Sequence, residues 1–184
     1  MANSTANVAT GKPKVGGAFY IAPAGTTLPN DATTALAVDF ICAGYISDAG
    51  LKNNNARETA EVKAWGGDTV LNPVTGHTDT FSTTFIEVLN PQVLKLVHGD
   101  DNVSGTLATG ITVNVNGSDL DHYVMAVDMI LNGAVKRIVI PDGQVTSVGE
   151  VSYTDADAVG YETTITGYPD ASGNTHYEYI KATA

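Results

Sequence analysis

Histidines are the side chains in this sequence that most readily serve catalysis or metal binding. The chain has four, His77, His98, His122 and His176, and a single cysteine, Cys42. No two of these side chains lie at the short spacing of a zinc motif, so a metal site would need convergence from distant parts of the chain. The sequence therefore predicts no metal site and no cofactor, and we expect Cys42 to be a small buried side chain.

Two short groups of carboxylates carry the oxygen ligands that calcium prefers. They are Asp100–Asp101–Asn102 and the pair Asp155 and Asp157. Neither group has the spacing of a calcium-binding loop, whereas Asp and Asn are frequent in turns. We therefore interpret both groups as turns.

Motifs for covalent catalysis are absent from the sequence. There is no G-x-S-x-G motif, and Gly16–Gly17 is not followed by the lysine and helix of a phosphate-binding loop. A pair of distant carboxylates for glycoside hydrolysis stays open, but Trp65 is the only tryptophan on which a sugar could stack. We predict that the protein is not an enzyme.

The charge of the chain argues against tight binding of nucleic acid. The net charge is −11, and charged residues make up 16% of the chain, compared with about 25% in typical domains. Phosphate binding requires Lys and Arg to displace counterions, and these are scarce. Two interpretations stay open: an acidic wall that repels DNA and lets it slide, or acidity that keeps an abundant protein soluble.

The pattern along the chain predicts a mainly β protein. We expect a flexible N-terminal arm over residues 1–15 and a single domain over residues 16–184, with no signal peptide and no membrane-spanning run. The strongest hairpin signal is Asn132–Gly133, between the apolar runs 122–131 and 134–140. We predict an antiparallel two-sheet sandwich or flattened barrel.

Weaker patterns give further expectations. The apolar run Val38 to Ile46 predicts a strand covered on both faces, and Ser104 to Gly110 is typical of a loop. Pro141–Asp142–Gly143 predicts a turn, and the run Asn53 to Asn55 is able to adopt left-handed turn geometry.

One short helix is predicted over residues 91–98. Asn90 can act as its N-cap and Pro91 suits the first helical position. Val93, Leu94 and Val97 fall on one face. Gly99 is placed to end the helix in a left-handed turn.

A long projecting hairpin or loop is predicted over residues 48–73. Small apolar residues alternate with charged residues from Ala56 to Trp65, and Gly66–Gly67 suits a tight reversal. Because isolated two-stranded hairpins are marginal in water, we expect this element to gain order from a neighbour.

Two segments of the chain resemble a known family. FSTTFIEVLNPQVLKLVHGDDNV (residues 81–103) and AWGGDTVLNP (residues 64–73) are similar to the major tail tube protein of long-tailed, non-contractile bacteriophages of the siphovirus type. The resemblance is good over residues 16–103 and extends beyond them only in strand pattern and length. It implies a fold shared with the tubes of contractile tails and type VI secretion systems.

The resemblance also implies a function. Such proteins stack as hexameric rings into the tail tube, the conduit for DNA ejection. The implied partners are further copies of the chain, the tape measure, the tail terminator and the tail tip, with DNA passing through the lumen without sequence-specific binding. The implied location is the virion tail, after assembly in the cytoplasm of a bacterial host.

The resemblance assigns ring stacking to the hairpin. The expected interface residues are Lys52, Asn53, Asn54, Asn55, Arg57, Trp65, Asp68 and Asn72. The acids that we expect to face the lumen are Glu58, Glu61, Asp79 and Glu87.

A second class of function stays open at this point. A β-sandwich that binds a receptor or a carbohydrate, on a virion or a cell surface, would have a similar strand pattern. Such a module would need exposed aromatic side chains in a concave patch, which the tyrosines, including Tyr177 and Tyr179, permit weakly.

Overall fold

Antiparallel β-strands and one α-helix form the fold in the computed structural model, which describes residues 3–183. The strands are β1 (Lys12–Pro13), β2 (Phe19–Pro23), β3 (Ile41–Cys42), β4 (Lys52–Thr59), β5 (Val62–Lys63), β6 (Thr69–Leu71), β7 (Val74–Phe85), β8 (Val103–Thr106), β9 (Gly110–Val113), β10 (His122–Leu131), β11 (Ala134–Val148), β12 (Tyr161–Gly167) and β13 (Tyr177–Ala182). Helix α1 spans Pro91–His98, and 3-10 turns cover Thr5–Asn7 and Asp100–Asn102. The predicted mainly β class with one short helix is confirmed.

Nine of these strands form one sheet. Its order is β3-β2-β10-β11-β12-β7-β4, with β1 paired to β10 and β13 paired to β11. The pairs β5–β6 and β8–β9 form two small sheets. All pairs are antiparallel, and hydrogen bonding does not close the large sheet into a barrel.

The β10–β11 hairpin lies at the centre of this sheet. Asn132–Gly133 forms its turn, with Gly133 at φ 71°, and Leu131 pairs with Ala134 as predicted. The predicted turn at Pro141–Asp142–Gly143 is wrong, because β11 continues through these residues to Val148. The sequence signal marks an irregularity instead: the register with β10 shifts here, and the second neighbour of β11 changes from β13 to β12. Proline lacks the N–H that a regular ladder needs, which suits such a position.

Helix α1 begins and ends where the sequence predicts. The Asn90 side chain accepts a hydrogen bond from the Gln92 backbone N–H at 3.0 Å. Gly99 ends the helix at φ 93° and ψ 144°, which is positive φ but outside the left-handed helical region that we expected. Its N–H still donates to the Lys95 carbonyl at 2.7 Å. The buried side chains of the helix are Val93, Leu94, Leu96 and Val97.

The helix packs on a core that the large sheet surrounds. Side chains of β2, β7, β10, β11, β12 and α1 meet there, and the Phe19 and Phe85 rings pack edge to face at 5.1 Å. The members with no exposed surface are Phe19, Ala43, Phe81, Phe85, Val93, Met125, Ile140 and Ile165.

The segment after β3 connects two distant parts of the sheet. The Ala43 N–H donates to the Phe19 carbonyl in β2, whereas the Ser47 N–H donates to the Thr84 carbonyl in β7. The predicted strand Val38 to Ile46 is therefore reduced to Ile41–Cys42, and Val38 and Tyr45 are exposed rather than covered. The apolar composition of this segment predicted one strand, whereas the segment crosses from β2 to β7 and pairs only briefly with each.

The predicted loop Ser104 to Gly110 is also wrong. Its first residues belong to β8, which pairs with β9. The Thr109 hydroxyl accepts a hydrogen bond from the Thr106 N–H at 3.0 Å and closes the turn between them. The Gly, Ser and Thr content that suggested a loop instead builds a small exposed hairpin.

A short stretch of the N-terminal segment pairs with the sheet. Lys12 and Pro13 pair with Ile130 and Met129 of β10. The side chains of residues 3–16 are exposed. The segment that we expected to be a flexible arm thus has one short strand in contact with the domain.

Candidate functional site

A long two-stranded arm extends from the end of the large sheet. Strands β4 and β7 pair from Lys52 with Ser82 to Thr59 with Val74. Beyond these strands the Ala60 N–H donates to the Pro73 carbonyl, and β5 pairs with β6. The last bond before the turn runs from the Ala64 N–H to the Asp68 carbonyl at 2.8 Å. We call residues 52–78 the projecting hairpin and residues 60–73 its distal part.

Nothing within residues 3–183 covers the projecting hairpin. Every residue from 52 to 78 is exposed except Ala64 and Gly76, which are partly exposed. From Thr78 to the turn at Gly66 the strand can reach roughly 40 Å at about 3.3 Å per residue. Gly66 and Gly67 have φ of 116° and 103°, a conformation that glycine adopts without strain. The sequence signal for a tight reversal is therefore confirmed.

The Asn run lies in a strand and not in a turn, so that expectation is wrong. Asn53, Asn54 and Asn55 belong to β4, and between residues 3 and 183 no residue other than glycine has positive φ. Their partners come from β7: Asn53 donates to the Thr80 carbonyl at 3.2 Å, and Asn55 Oδ1 lies 3.1 Å from His77 Nε2. These cross-strand bonds override the local preference of Asn for turns.

A buried carboxylate holds the base of the projecting hairpin. Asp79 is 1% exposed, and it accepts hydrogen bonds from Asn53 Nδ2 at 2.7 Å and Thr175 Oγ1 at 2.7 Å. His176 Nδ1 lies 2.5 Å from the same carboxylate. Burial opposes ionisation, but the hydrogen bonds from Thr175, Asn53 and His176 outweigh it and lower the pKa of Asp79.

This position corrects the expectation that Asp79 faces the lumen. A carboxylate whose oxygens are used inside the subunit presents no charge to a surrounding channel. Asp79 instead connects β4, β7 and the start of β13, and the His176 ring also packs edge to face on Phe81 at 5.3 Å. The sequence gave no local signal for this cluster, because Thr175 and His176 are distant from Asp79 in the chain.

The distal part of the hairpin carries large apolar side chains in solvent. Trp65 is fully exposed beside the turn. Isolated apolar side chains are common on surfaces, but a group of them on an arm without a core indicates contact with another surface. The exposed members are Val62, Trp65, Val70 and Leu71, with Val74 next to them on β7.

All the residues expected to form the interface lie on the projecting hairpin. Lys52, Asn53, Asn54, Asn55 and Arg57 belong to β4. Trp65 and Asp68 flank the distal turn, and Asn72 follows β6. The structure therefore brings the eight residues onto one arm, with polar side chains near the base and Trp65 at the end.

The other expected lumen-facing acids differ in environment. Glu58 and Glu61 are exposed, and Glu61 lies 3.7 Å from Lys63. Glu87 is only partly exposed, and its carboxylate accepts hydrogen bonds from the Tyr45 N–H at 2.9 Å and Asn90 Nδ2 at 3.0 Å. Glu87 thus also holds the loop before helix α1.

A buried ion pair near the N-terminal segment was not predicted from the sequence. Arg137 is 1% exposed and donates to both oxygens of Asp128, through Nε at 2.6 Å and Nη2 at 2.8 Å. Its Nη1 donates to the carbonyls of Asp31 and Thr34, and Lys14 Nζ donates to Asp128 at 3.1 Å. The pair therefore connects the centre of the sheet to the loop before β3 and to the N-terminal segment.

The electrostatics of this pair favour both charged forms. Burial opposes ionisation of Asp128, but the bonds from Arg137 and Lys14 outweigh it and lower the pKa of the carboxyl. The bond to Asp128 raises the pKa of Arg137. A signal was present in the sequence: the two-residue turn Asn132–Gly133 fixes a register in which Asp128 and Arg137 are directly opposite.

Two further observations bear on function. Among residues 3–183 no group of three or more His, Cys, Asp or Glu side chains is arranged to hold a metal ion. Over the same residues no helix has the length and apolar character needed to cross a membrane.

Comparison with known protein families identifies the family of the chain. A family model described as "Phage tail tube protein" matches residues 1–184. The matched range includes the projecting hairpin as well as the large sheet and helix α1. No curated protein matches the sequence.

Proposed function

The chain belongs to the phage tail tube protein family, as its sequence resemblance indicated, and on that premise we propose that it polymerises as stacked rings into the tail tube. The family makes it a structural protein of the virion tail that assembles with copies of itself and with other tail proteins. The proposed ring is a hexamer, and the proposed tube is the path for DNA ejection. The tape measure, the tail terminator and the tail tip are its proposed partners, and the host cytoplasm is the proposed place of assembly.

The observation that carries this proposal is the exposed projecting hairpin. A two-stranded arm without a core is marginal in water, and this one ends in a group of exposed apolar side chains. Fully burying one such side chain contributes about 1.5–3 kcal/mol before the entropy of association is subtracted. A neighbouring subunit that covers the distal part would therefore stabilise both the hairpin and the polymer.

The geometry of the hairpin suits a head-to-tail contact. A surface that meets a different surface on the next copy generates rings or continuous stacks rather than closed dimers. Within residues 3–183, β4 pairs only with β7 and β13 pairs only with β11, so each has an unpaired edge. We propose that such edges take part in contacts between neighbours in a ring, which would also prevent uncontrolled edge-to-edge aggregation.

We propose that Glu58 and Glu61 contribute to an acidic lumen, and we leave out Glu87, whose carboxylate is engaged by the Tyr45 N–H and Asn90. Each subunit has a net charge of −11, and a ring multiplies that charge. A wall of this sign repels phosphate groups and allows DNA to pass without being held. Asp79 is not part of this proposal, because it is buried.

A shortened hairpin tests the stacking role. Thr59 and Val74 are Cα partners, so residues 60–73 can be replaced by an Asn–Gly turn that leaves the β4–β7 ladder and the Asp79 cluster intact. We expect this variant to fold normally but to form no tubes in negative-stain electron microscopy. Leu107→Ser is the matched control, since Leu107 is an exposed apolar residue in the turn of another hairpin. Normal tubes from the shortened variant would contradict the proposal.

A further inference from the structure

If rings stack through the projecting hairpin, its distal part needs a receiving surface on the next subunit. We infer that this surface is an open groove of about 450 Å³ on a second copy of the chain, and this inference rests on the proposed ring stacking. We call it the arm groove. Its lining residues are Pro13, Lys14, Val15, Gly16, Gly17, Ala18, Cys42, Gly44, Tyr45, Ile46 and Glu87.

The arm groove combines an apolar lining with exposed apolar side chains. Val15 is 91% exposed and Tyr45 is 75% exposed, although both belong to the lining. Pro13, Cys42 and Ile46 add further apolar surface. An exposed indole such as Trp65 on a neighbouring copy would remove this surface from water together with its own.

The position of the groove matches the direction of the hairpin. Strand β7 runs from Val74, at the distal part of the hairpin, to Phe85, inside the body. At that second end the Ile86 N–H donates to the Tyr45 carbonyl, and Glu87 accepts from the Tyr45 N–H. The apolar end of the hairpin and the arm groove therefore lie beyond opposite ends of one strand. A second copy displaced along the direction of β7 would bring the two surfaces together, which is the head-to-tail relation that stacking requires.

Charge favours the same pairing. Residues 1–30 contain Lys12 and Lys14 and no acidic residue, although the whole chain has a net charge of −11. Residues 60–73, the distal part of the hairpin, contain Glu61 and Asp68 against Lys63. Lys12 and Lys14, in the N-terminal segment beside the groove, have a charge opposite to the net charge of the distal part; Lys14 is shared with Asp128, and Glu87 is the one acid in the groove lining.

Two other grooves fit the hairpin less well. The groove beside the end of β7 and the start of β12 has three acids, Asp48, Glu150 and Glu162, which would oppose Glu61 and Asp68, whereas the arm groove has one, Glu87. The groove beside the end of α1 is lined by the end of the helix, the loop before β10 and the end of β11, and its lining contains the acid Asp119 and no Lys or Arg. Neither surface combines exposed apolar side chains with complementary charge.

The native cysteine provides a direct test. Cys42, which we expected to be buried, is partly exposed and lines the arm groove, and it is the only cysteine in the chain. A tip variant that carries Asp68→Cys together with Cys42→Ser has its only thiol at the end of the hairpin, three residues after Trp65. This variant is mixed with wild-type subunits carrying a mass tag, and assembled material is treated with a short bis-maleimide. We expect a cross-linked heterodimer that joins the tip thiol to Cys42.

Two controls make the test specific. Leu107→Cys with Cys42→Ser places the thiol in the turn between β8 and β9, and we expect this variant to give at least tenfold less heterodimer. In the second control, the tagged wild-type subunits are replaced by tagged Cys42→Ser subunits. We expect this mixture to give no cross-linked heterodimer.

The outcomes separate the inference from the proposed function. Tubes in the microscope with a Cys42-dependent heterodimer support the arm groove. Tubes without that heterodimer, or with as much from the Leu107→Cys variant, overturn the arm groove and leave ring stacking intact. Failure of both the wild type and the mixture to form any polymer counts against the proposed function and the arm groove together.

Discussion

Asn53 donates its side-chain amide to the buried carboxylate of Asp79 at 2.7 Å, and this bond joins the two strands of the projecting hairpin where the hairpin leaves the body. Beyond this point both strands are exposed to solvent as far as the turn. The base of the arm is therefore held by polar contacts together with the neighbouring core residue Phe81, which is fully buried. The distal part has no such support from the residues that the structure describes.

Removing the Asp79 carboxylate should destabilise the subunit. Asp79→Ala leaves the donors of Asn53, Thr175 and His176 without their acceptor, and we expect the free energy of unfolding to fall by about 2–4 kcal/mol. Urea denaturation measures this change. Asp68→Ala, at an exposed position on the same hairpin, should change the free energy of unfolding by about 0.5 kcal/mol or less. Equal effects of the two substitutions would contradict the anchoring role of Asp79.

Acid should weaken the fold through Asp79 and Asp128. The pKa of each carboxyl is lowered in the folded protein, so each contributes stability that is present above the unfolded pKa, about 3.9, and is lost as pH falls toward the folded pKa. We expect the urea midpoint to change little between pH 7 and pH 5 on account of these groups and to fall steeply below about pH 4. Asp79→Asn should reduce that fall. An unchanged pH dependence in Asp79→Asn would show that Asp79 does not titrate with a lowered pKa.

Breaking the buried ion pair should have a larger effect than breaking an exposed pair. Arg137→Ala leaves the buried charge of Asp128 with Lys14 alone, and we expect a loss of about 3–5 kcal/mol in the free energy of unfolding. The neighbouring pair of Lys136 and Glu178 is partly exposed, so Lys136→Ala should cost about 1 kcal/mol or less. Thermal and urea unfolding of the two variants give the comparison. The account fails here if Arg137→Ala is as stable as Lys136→Ala.

Trp65 should matter for assembly and not for folding. Its side chain is fully exposed in the subunit, so Trp65→Ala should change the free energy of unfolding by about 0.5 kcal/mol or less. The same variant should pellet far less polymer than the wild type in a sedimentation assay, because an aromatic side chain buried at an interface commonly contributes about 2 kcal/mol or more. Leu107→Ala serves as its control. Normal polymer from Trp65→Ala would exclude Trp65 from the stacking contact.

Local signals predicted the parts of the fold that depend on local chemistry. The bounds of α1 follow from Asn90, Pro91 and Gly99, each of which acts within one turn of the helix. The β10–β11 hairpin follows from Asn132–Gly133, which fixes the register of the strands on either side. In both cases the residues that determine the geometry are adjacent in the chain.

Elements that depend on distant partners were predicted less well. The Asn run became a strand because β7 supplies its partners, and the segment from Val38 to Ile46 divides between β2 and β7. The burial of Asp79 depends on Thr175 and His176, which no local pattern relates to it. The Asp128–Arg137 pair could be predicted from the register of the β10–β11 hairpin, because that register places the two residues directly opposite each other.

The most direct test of the central claim is the state of the purified wild-type protein as its concentration rises. Negative-stain electron microscopy and sedimentation velocity on the same samples show whether subunits associate. The account predicts rings or tubes that grow with concentration and disappear in the variant lacking residues 60–73. A wild-type protein that stays monomeric at every concentration would contradict self-assembly through the projecting hairpin and favour a solitary binding module.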